Sequence, residues 1–121
     1  MKIKRFEELE CWQEARELTK EIYTYIKRSD FAKDFRLSGQ ISGASISIMN
    51  NISEGFDSRS NNEFMRFLSY SRRSCSELQN CLYIALDQQY ILNKEFTSTY
   101  RQCEKVRKII DGLIRYLKKI S

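Results

Sequence analysis

The chain has 121 residues, 41% hydrophobic and 31% charged, a balance that fits one globular domain over residues 1–121 and excludes a fibrous or disordered chain. Proline and histidine are absent and glycine occurs four times. Too few turn formers remain for an all-β fold, and without imidazole there is no Ser-His or Cys-His nucleophile, no neutral-pH base and no His-containing zinc or di-iron site. The expectation is a protein that is not an enzyme and holds no metal or other cofactor.

Four segments place apolar residues at helical spacing. The first runs over about 6–27, with Leu9, Trp12, Ala15, Leu18, Ile22 and Ile26 on one face and Trp12 as core. Residues 28–34 break the pattern. The second runs over about 35–54, with Leu37, Ile41, Ala44, Ile48 and Ile52 inward and Gly55 as the left-handed residue that ends it. Gly39, Gly43, Ala44, Ser45 and Ser47 crowd this helix. A helical Gly is less favourable than Ala by about 0.5–1 kcal/mol, so two of them imply close approach of a neighbouring backbone, in the same bundle or in another subunit.

Ser60-Asn61-Asn62-Glu63 is a capping box, in which Ser60 accepts from the Glu63 N–H and the Glu63 side chain reaches back to the Ser60 N–H. The third helix follows over about 61–89, through Phe64, Leu68, Ser71, Cys75, Leu78, Leu82 and Ala85. Tyr90-Ile91-Leu92 makes a corner, and Asn93 is placed as the N-cap of a fourth helix over about 94–119. There Phe96, Thr99, Cys103, Val106, Ile110, Leu113, Leu117 and Ile120 alternate steps of three and four, the seam of near-parallel helix packing. Four amphipathic helices with short links predict an all-α, antiparallel up-down four-helix bundle.

No apolar run approaches the roughly 20 residues of a membrane span. The opening Met1-Lys2-Ile3-Lys4-Arg5-Phe6-Glu7-Glu8 turns acidic before any apolar stretch, unlike a secretory leader. The expected location is cytoplasmic, with Cys11, Cys75, Cys81 and Cys103 reduced and packed as small hydrophobes.

The run Gln40-Ile41-Ser42-Gly43-Ala44-Ser45-Ile46-Ser47-Ile48-Met49-Asn50-Asn51-Ile52-Ser53-Glu54-Gly55 carries a resemblance. With Phe6-Glu7-Glu8-Leu9-Glu10-Cys11-Trp12, Glu63-Phe64, Phe67-Leu68, Ser74-Cys75-Ser76-Glu77-Leu78 and Gln89-Tyr90-Ile91, it resembles the bacterial four-helix-bundle proteins first noticed as products of intervening sequences in large-subunit ribosomal RNA genes. A distant branch of these works beside reverse transcriptases in diversity-generating retroelements. The matching positions are Gln40, Asn51, Glu54, Gly55, Ser74 and Glu77. The resemblance implies a helical bundle, a homo-oligomer in the form of a five-membered ring, and contact with nucleic acid. This chain departs from it at Ser42-Gly43, where many members carry two arginines, at Met49, where many have proline, and at Arg73, where many have glycine. Losing the arginine pair weakens the argument that the second helix binds phosphate.

Charge distribution carries the functional reading. Basic and acidic residues balance through residue 92, and the net +5 arises in residues 93–121, with eight basic and three acidic side chains. At about 100° per residue, Lys94, Arg101, Lys105, Lys108, Arg115 and Lys119 fall within roughly 80° of helix surface, opposite the seam, and none of Glu95, Glu104 and Asp111 lies among them. The stripe is about 37 Å long at 1.5 Å per residue. It reads as a contact for RNA or DNA backbone, against the alternatives of a solvated outer face or an acidic protein partner. The competing function is a protein–protein adaptor with no direct nucleic-acid contact.

Glu54 lies in the last turn of its helix, where the macrodipole disfavours an anion, and is expected to reach the free N–H groups near Asn61 and Asn62. Glu77 is expected to pair with Arg73 one turn away or with a cation across the bundle. Tyr23, Tyr25, Tyr70, Tyr83 and Phe56 could stack on bases or line a core or subunit interface, with the interface reading preferred.

Overall fold

The computed structural model describes residues 2–121 and contains a 3-10 turn at Phe6–Glu8 followed by five helices: α1 (Glu10–Ile26), α2 (Ser29–Lys33), α3 (Phe35–Phe56), α4 (Asn61–Asp87) and α5 (Asn93–Ile120). The four long helices run alternately up and down; α3 packs on α1 and α4, and α5 closes the square against α4 and α1. The most extensive interface is between α3 and α4. Its close approach follows from small side chains. Ser71 Oγ donates to the Ile48 carbonyl at 2.8 Å, and the Ser47 and Ser74 hydroxyls bond each other at 2.8 Å.

The core is aliphatic. Leu18, Ile22, Ile41, Ile48, Ile52, Leu68, Leu78, Leu82 and Ile110 are fully buried, each stabilising the fold by about 1.5–3 kcal/mol relative to exposure. Polar groups inside are paired, as burial demands. Tyr25 OH and Thr99 Oγ1 share a hydrogen bond of 2.8 Å between α1 and α5, and Cys103 Sγ donates to the Cys75 carbonyl at 3.3 Å between α5 and α4. Among the described residues the buried exception is Nε2 of Gln79. Cys11, Cys75, Cys81 and Cys103 are all buried and free. Burial pushes the Cys11 thiol up to about 12, and the hydrogen bond to Cys75, together with burial, pushes Cys103 upward.

The structure revises several boundaries. Residues 6–9 are not part of the first helix: Leu9 is extended and precedes α1. The break at 28–34 contains α2, whose Phe31 is buried and stacks on Tyr90 with ring centroids 4.8 Å apart. Asp34 then caps α3, accepting from the Leu37 N–H at 3.0 Å through one oxygen and from the Tyr90 hydroxyl at 3.0 Å through the other. Trp12 is half-buried, edge-on to Phe6 with Arg16 over its ring. Ile120 ends the seam exposed.

Helix ends differ from expectation for identifiable reasons. Gly55 does not terminate α3 in the left-handed region; no glycine among the described residues has positive φ. Gly55 sits inside the last turn because a Cβ there would lie 2.8 Å from Phe67 Cβ and 2.9 Å from Phe64 Cδ1. Gly39 and Gly43 show the reverse: no neighbour within the chain comes within 4 Å of a Cβ, so the bundle itself does not require them. The residue with left-handed backbone is Gln89, φ 63°. It closes α4 in a Schellman arrangement, with the Tyr90 N–H on the Ala85 carbonyl at 2.9 Å and the Gln89 N–H on Leu86 at 2.9 Å.

The Ser60 cap is present, Oγ accepting from the Glu63 N–H at 3.1 Å, but the Glu63 carboxylate reaches the Arg59 N–H instead of that of Ser60. At α5 the N-cap is Leu92, not Asn93, and the Glu95 carboxylate covers the Leu92 N–H at 2.8 Å. The same carboxylate takes both ends of the Arg28 guanidinium, Nη1 at 2.8 Å and Nη2 at 2.5 Å, while Nη1 also donates to the Tyr90 carbonyl. Arg28 lies over the Tyr25 ring, so one side chain ties the end of α1 to the start of α5. Hydrogen bonding from Arg28 holds the Glu95 carboxyl down to about 2.

Two predictions follow from these geometries. Gly55→Ala should lower stability by about 1–3 kcal/mol through the phenylalanine clash, whereas Gly39→Ala and Gly43→Ala should each raise it by about 0.5–1 kcal/mol, measured by urea unfolding. Because Glu95 has a depressed folded pKa, its contribution is complete above the ordinary value of 4.5 and disappears as pH falls through about 2. Glu95→Gln should therefore remove about 1–2 kcal/mol at pH 7, a figure discounted because Arg28 is 42% exposed, and should flatten the fall of Tm in that acid window.

Candidate nucleic-acid interface

Helix α5 presents its seam to α1, α4 and the interior. Thr99, Cys103, Val106, Ile110 and Leu117 are buried, which turns the opposite edge outward. Lys94, Arg101, Lys105, Lys108, Arg115 and Lys119 are all exposed along that edge. The described residues give one ion pair in the stripe, Lys105 Nζ to Glu14 Oε1 at 3.4 Å. Such an exposed pair is weak and easily exchanged for another anion. The edge is not smooth. One shallow concavity is lined by Asn93, Lys94, Thr97, Ser98 and Arg101, and a second by Arg101, Glu104, Lys105, Lys108 and Ile109. Both are lined by cations of the stripe, the second beside the Glu104 carboxylate.

The flanks of the stripe are unlike each other. Toward α1, Glu95 takes the Arg28 guanidinium, Glu14 is taken by Lys105, and Glu21 is exposed with no cation within 4 Å among the described residues. Toward α4, the Asp111 carboxylate is taken by Arg72 Nε at 2.6 Å, and Arg107 is half-buried with no carboxylate within 4 Å among the described residues. Arg107 belongs to the basic surface but lies outside the sector read from the sequence, since its position on the helical wheel faces α4.

The motif residues divide into two groups. Asn51 is half-buried and its Nδ2 donates to the Ser47 carbonyl at 2.9 Å and to Ser47 Oγ at 3.1 Å; Ser47 in turn meets the buried Ser74. These three residues knit α3 to α4. Gln40 is exposed and borders a shallow groove with Arg36, Leu37, Asn80 and Ile84. Glu54 is exposed and makes no hydrogen bond to the opening of α4 among the described residues; that corner is instead held by Ser58, whose Oγ donates to the Gly55 carbonyl at 2.6 Å. Glu77 is exposed and does not pair with Arg73, which lies over the Tyr70 ring at 5.6 Å. The described residues contain no group of three or more His, Cys, Asp or Glu side chains placed to share a metal ion.

Of the aromatics considered for stacking, Tyr25 is buried by its bond to Thr99, Phe56 packs edge-on against Phe64, and Tyr23 is half-buried. Tyr70 and Tyr83 remain exposed at 40% and 51%. Phe96, which the periodicity places in the seam, and Tyr100 join Tyr83 in a cluster. No helix among the described residues is long and apolar enough to cross a membrane.

Comparison with known proteins places this geometry. The family described as 23S rRNA-intervening sequence protein matches residues 7–112, and the chain belongs to that family. A similar solved structure is the crystal structure of a protein of unknown function from the S23 ribosomal protein family of Bacteroides thetaiotaomicron. It has a TM-score of 0.77 and 21% identity, and the match covers 86% of this chain and 97% of that one. At that identity the likeness speaks for the fold. No curated protein matches the chain. The α3–α4 polar knot lies within the matched region, and Asn51→Ala should lower stability by about 1 kcal/mol, a few degrees in Tm, while leaving affinity for polyanions unchanged.

Proposed function

We propose that this member of the 23S rRNA-intervening sequence protein family is a non-enzymatic, homo-oligomeric binding protein that contacts RNA or DNA backbone through the exposed edge of α5. The observation that carries the reading is the sign of that edge. Six cations on one face, five of them without a carboxylate within 4 Å among the described residues, keep self-repulsion that a mixed solvated face would avoid. A polyanion relieves that repulsion and gains the entropy of released counterions. The family description names 23S rRNA, which makes RNA the first ligand to test. Binding of this kind is tolerant of sequence, because phosphates position and only base edges specify. Assembly into a ring would repeat the stripe around an axis and multiply weak contacts into a useful affinity. A cytoplasmic location accords with a partner of this kind.

A non-catalytic role is supported by the side-chain inventory: without histidine, the acids singled out from the sequence, Glu54 and Glu77, stand exposed on separate helices. A protein–protein adaptor is the second reading, favoured by Phe35 and Leu92, 83% and 57% exposed. Such apolar exposure marks contact with a polypeptide more readily than with phosphate.

With four to six phosphates contacted per protomer, log K should fall against log salt with a slope of about −3 to −5. Reversing Arg101, Lys105 and Lys108 to Glu should abolish binding to RNA while circular dichroism stays unchanged. Salt-independent binding, or survival of binding in the triple reversal, would exclude the stripe. Capture of a protein that resists nuclease treatment, in the absence of RNA binding, would favour the adaptor.

A further inference from the structure

The cluster of Tyr83, Phe96 and Tyr100 stands where α4 ends and α5 begins. Ring centroids lie 4.8 Å apart for Tyr83 and Phe96, 5.8 Å for Tyr83 and Tyr100, and 5.5 Å for Phe96 and Tyr100. Phe96 and Tyr100 are half-buried, and Tyr83, tilted by 57° against the first and edge-to-face with the second, keeps 51% of its surface in water. An aromatic ring supported from beneath and open above is a rigid stacking surface, with little side-chain entropy left to lose.

Its position relative to charge selects an occupant. On the helical wheel of α5 the cluster lies on the α4 flank, about 100° (Tyr100) to 140° (Phe96) from Arg101 and next to Arg107. The opposite flank carries Glu14, Glu21 and Glu95, answered by Lys105 of the stripe and by Arg28, so a carboxylate remains in excess there and disfavours a polyanion. On the α4 side Arg72 and Arg107 balance Asp111 and Glu104. A phosphate backbone on the stripe is therefore pushed toward the aromatic flank, with its bases facing Tyr83.

Building on the reading of the stripe, we propose that Tyr83, Phe96 and Tyr100 stack the unpaired bases of a single-stranded nucleic acid whose phosphates lie along Lys94, Arg101 and Lys108. A duplex, with its bases already stacked and hidden behind its backbones, gains only the phosphate contacts. The protein thus prefers single strands over duplex, with no sequence readout, because every base offers a π face.

The test uses anisotropy of a fluorescein-labelled oligouridylate of about 12 nucleotides, the deoxythymidylate of equal length and an RNA duplex of about 12 base pairs, with the full chain at low salt. Tyr83→Leu should weaken both single strands about tenfold and leave the duplex within twofold; Tyr83→Phe, which keeps the ring, should restore wild-type affinity. RNA and DNA strands weakened alike would locate the preference in the bases, and an effect confined to RNA would still support stacking while adding a contact to the 2′-hydroxyl. Unchanged single-strand affinity in Tyr83→Leu, combined with loss of all binding in the Arg101, Lys105 and Lys108 reversal, would overturn the stacking platform and leave the stripe standing. Absence of binding to every probe by the wild-type chain would remove both. A fall in light-scattering mass on Tyr83→Leu would identify the cluster as a contact between copies of the chain and also overturn the proposal.

Discussion

The rotation of α5 about its own axis is the constraint on which the functional surface depends. Cys103, Val106 and Ile110 have no exposed surface, and Thr99 is held by the Tyr25 hydroxyl. Turning the helix by one residue, about 100°, would bring aliphatic side chains into water and push lysines toward the interior. A buried ammonium without a partner carries a penalty of several kcal/mol, far above anything a surface contact returns. The Arg28–Glu95 bridge acts in the same sense at the start of the helix. The cationic edge is thus set by the core. Whatever binds there meets a straight, preorganised row and does not have to arrange it.

The seam of α5 was legible because it is long and its period is clean; eight positions in alternating steps leave one solution. The Ser60 cap was legible for a different reason, since its two partners lie three residues apart. What escaped depends on neighbours far away in the chain. Five residues are too few to show a period, so α2 and the stacking of Phe31 on Tyr90 were invisible. Gln89 takes the left-handed turn although nothing in its type favours it, while Gly55 is a glycine for want of room beside Phe64 and Phe67. The carboxylate of Glu95 displaced Asn93 as the expected cap by reaching back to Leu92. In the candidate site the stripe itself was legible, but Arg107 and the union of Phe96 with Tyr83 required knowing which flank α4 occupies.

The family motif reads differently once placed. Asn51, Ser47 and Ser74 face one another across the α3–α4 contact and account for the small and polar residues there as packing. Glu54 and Glu77 are exposed, Gln40 borders the shallow groove between α3 and α4, and Gly39 and Gly43 open onto empty space. The outer surface of α3 and α4 is therefore the least explained part of the molecule by its own interior. In an assembly of several copies, that is where a neighbouring backbone has room to come close.

The four shielded thiols have a practical consequence. Cys11 on α1, Cys75 and Cys81 on α4 and Cys103 on α5 sit on three of the four long helices, and a thiol pushed up to about 12, as Cys11 is, holds almost no thiolate near neutrality. An alkylating reagent meets Cys11, Cys75 and Cys103 only when the helices part, whereas Cys81 borders the surface groove between α3 and α4, so incorporation at the first three, counted by mass one cysteine at a time, reports which edge of the square opens first.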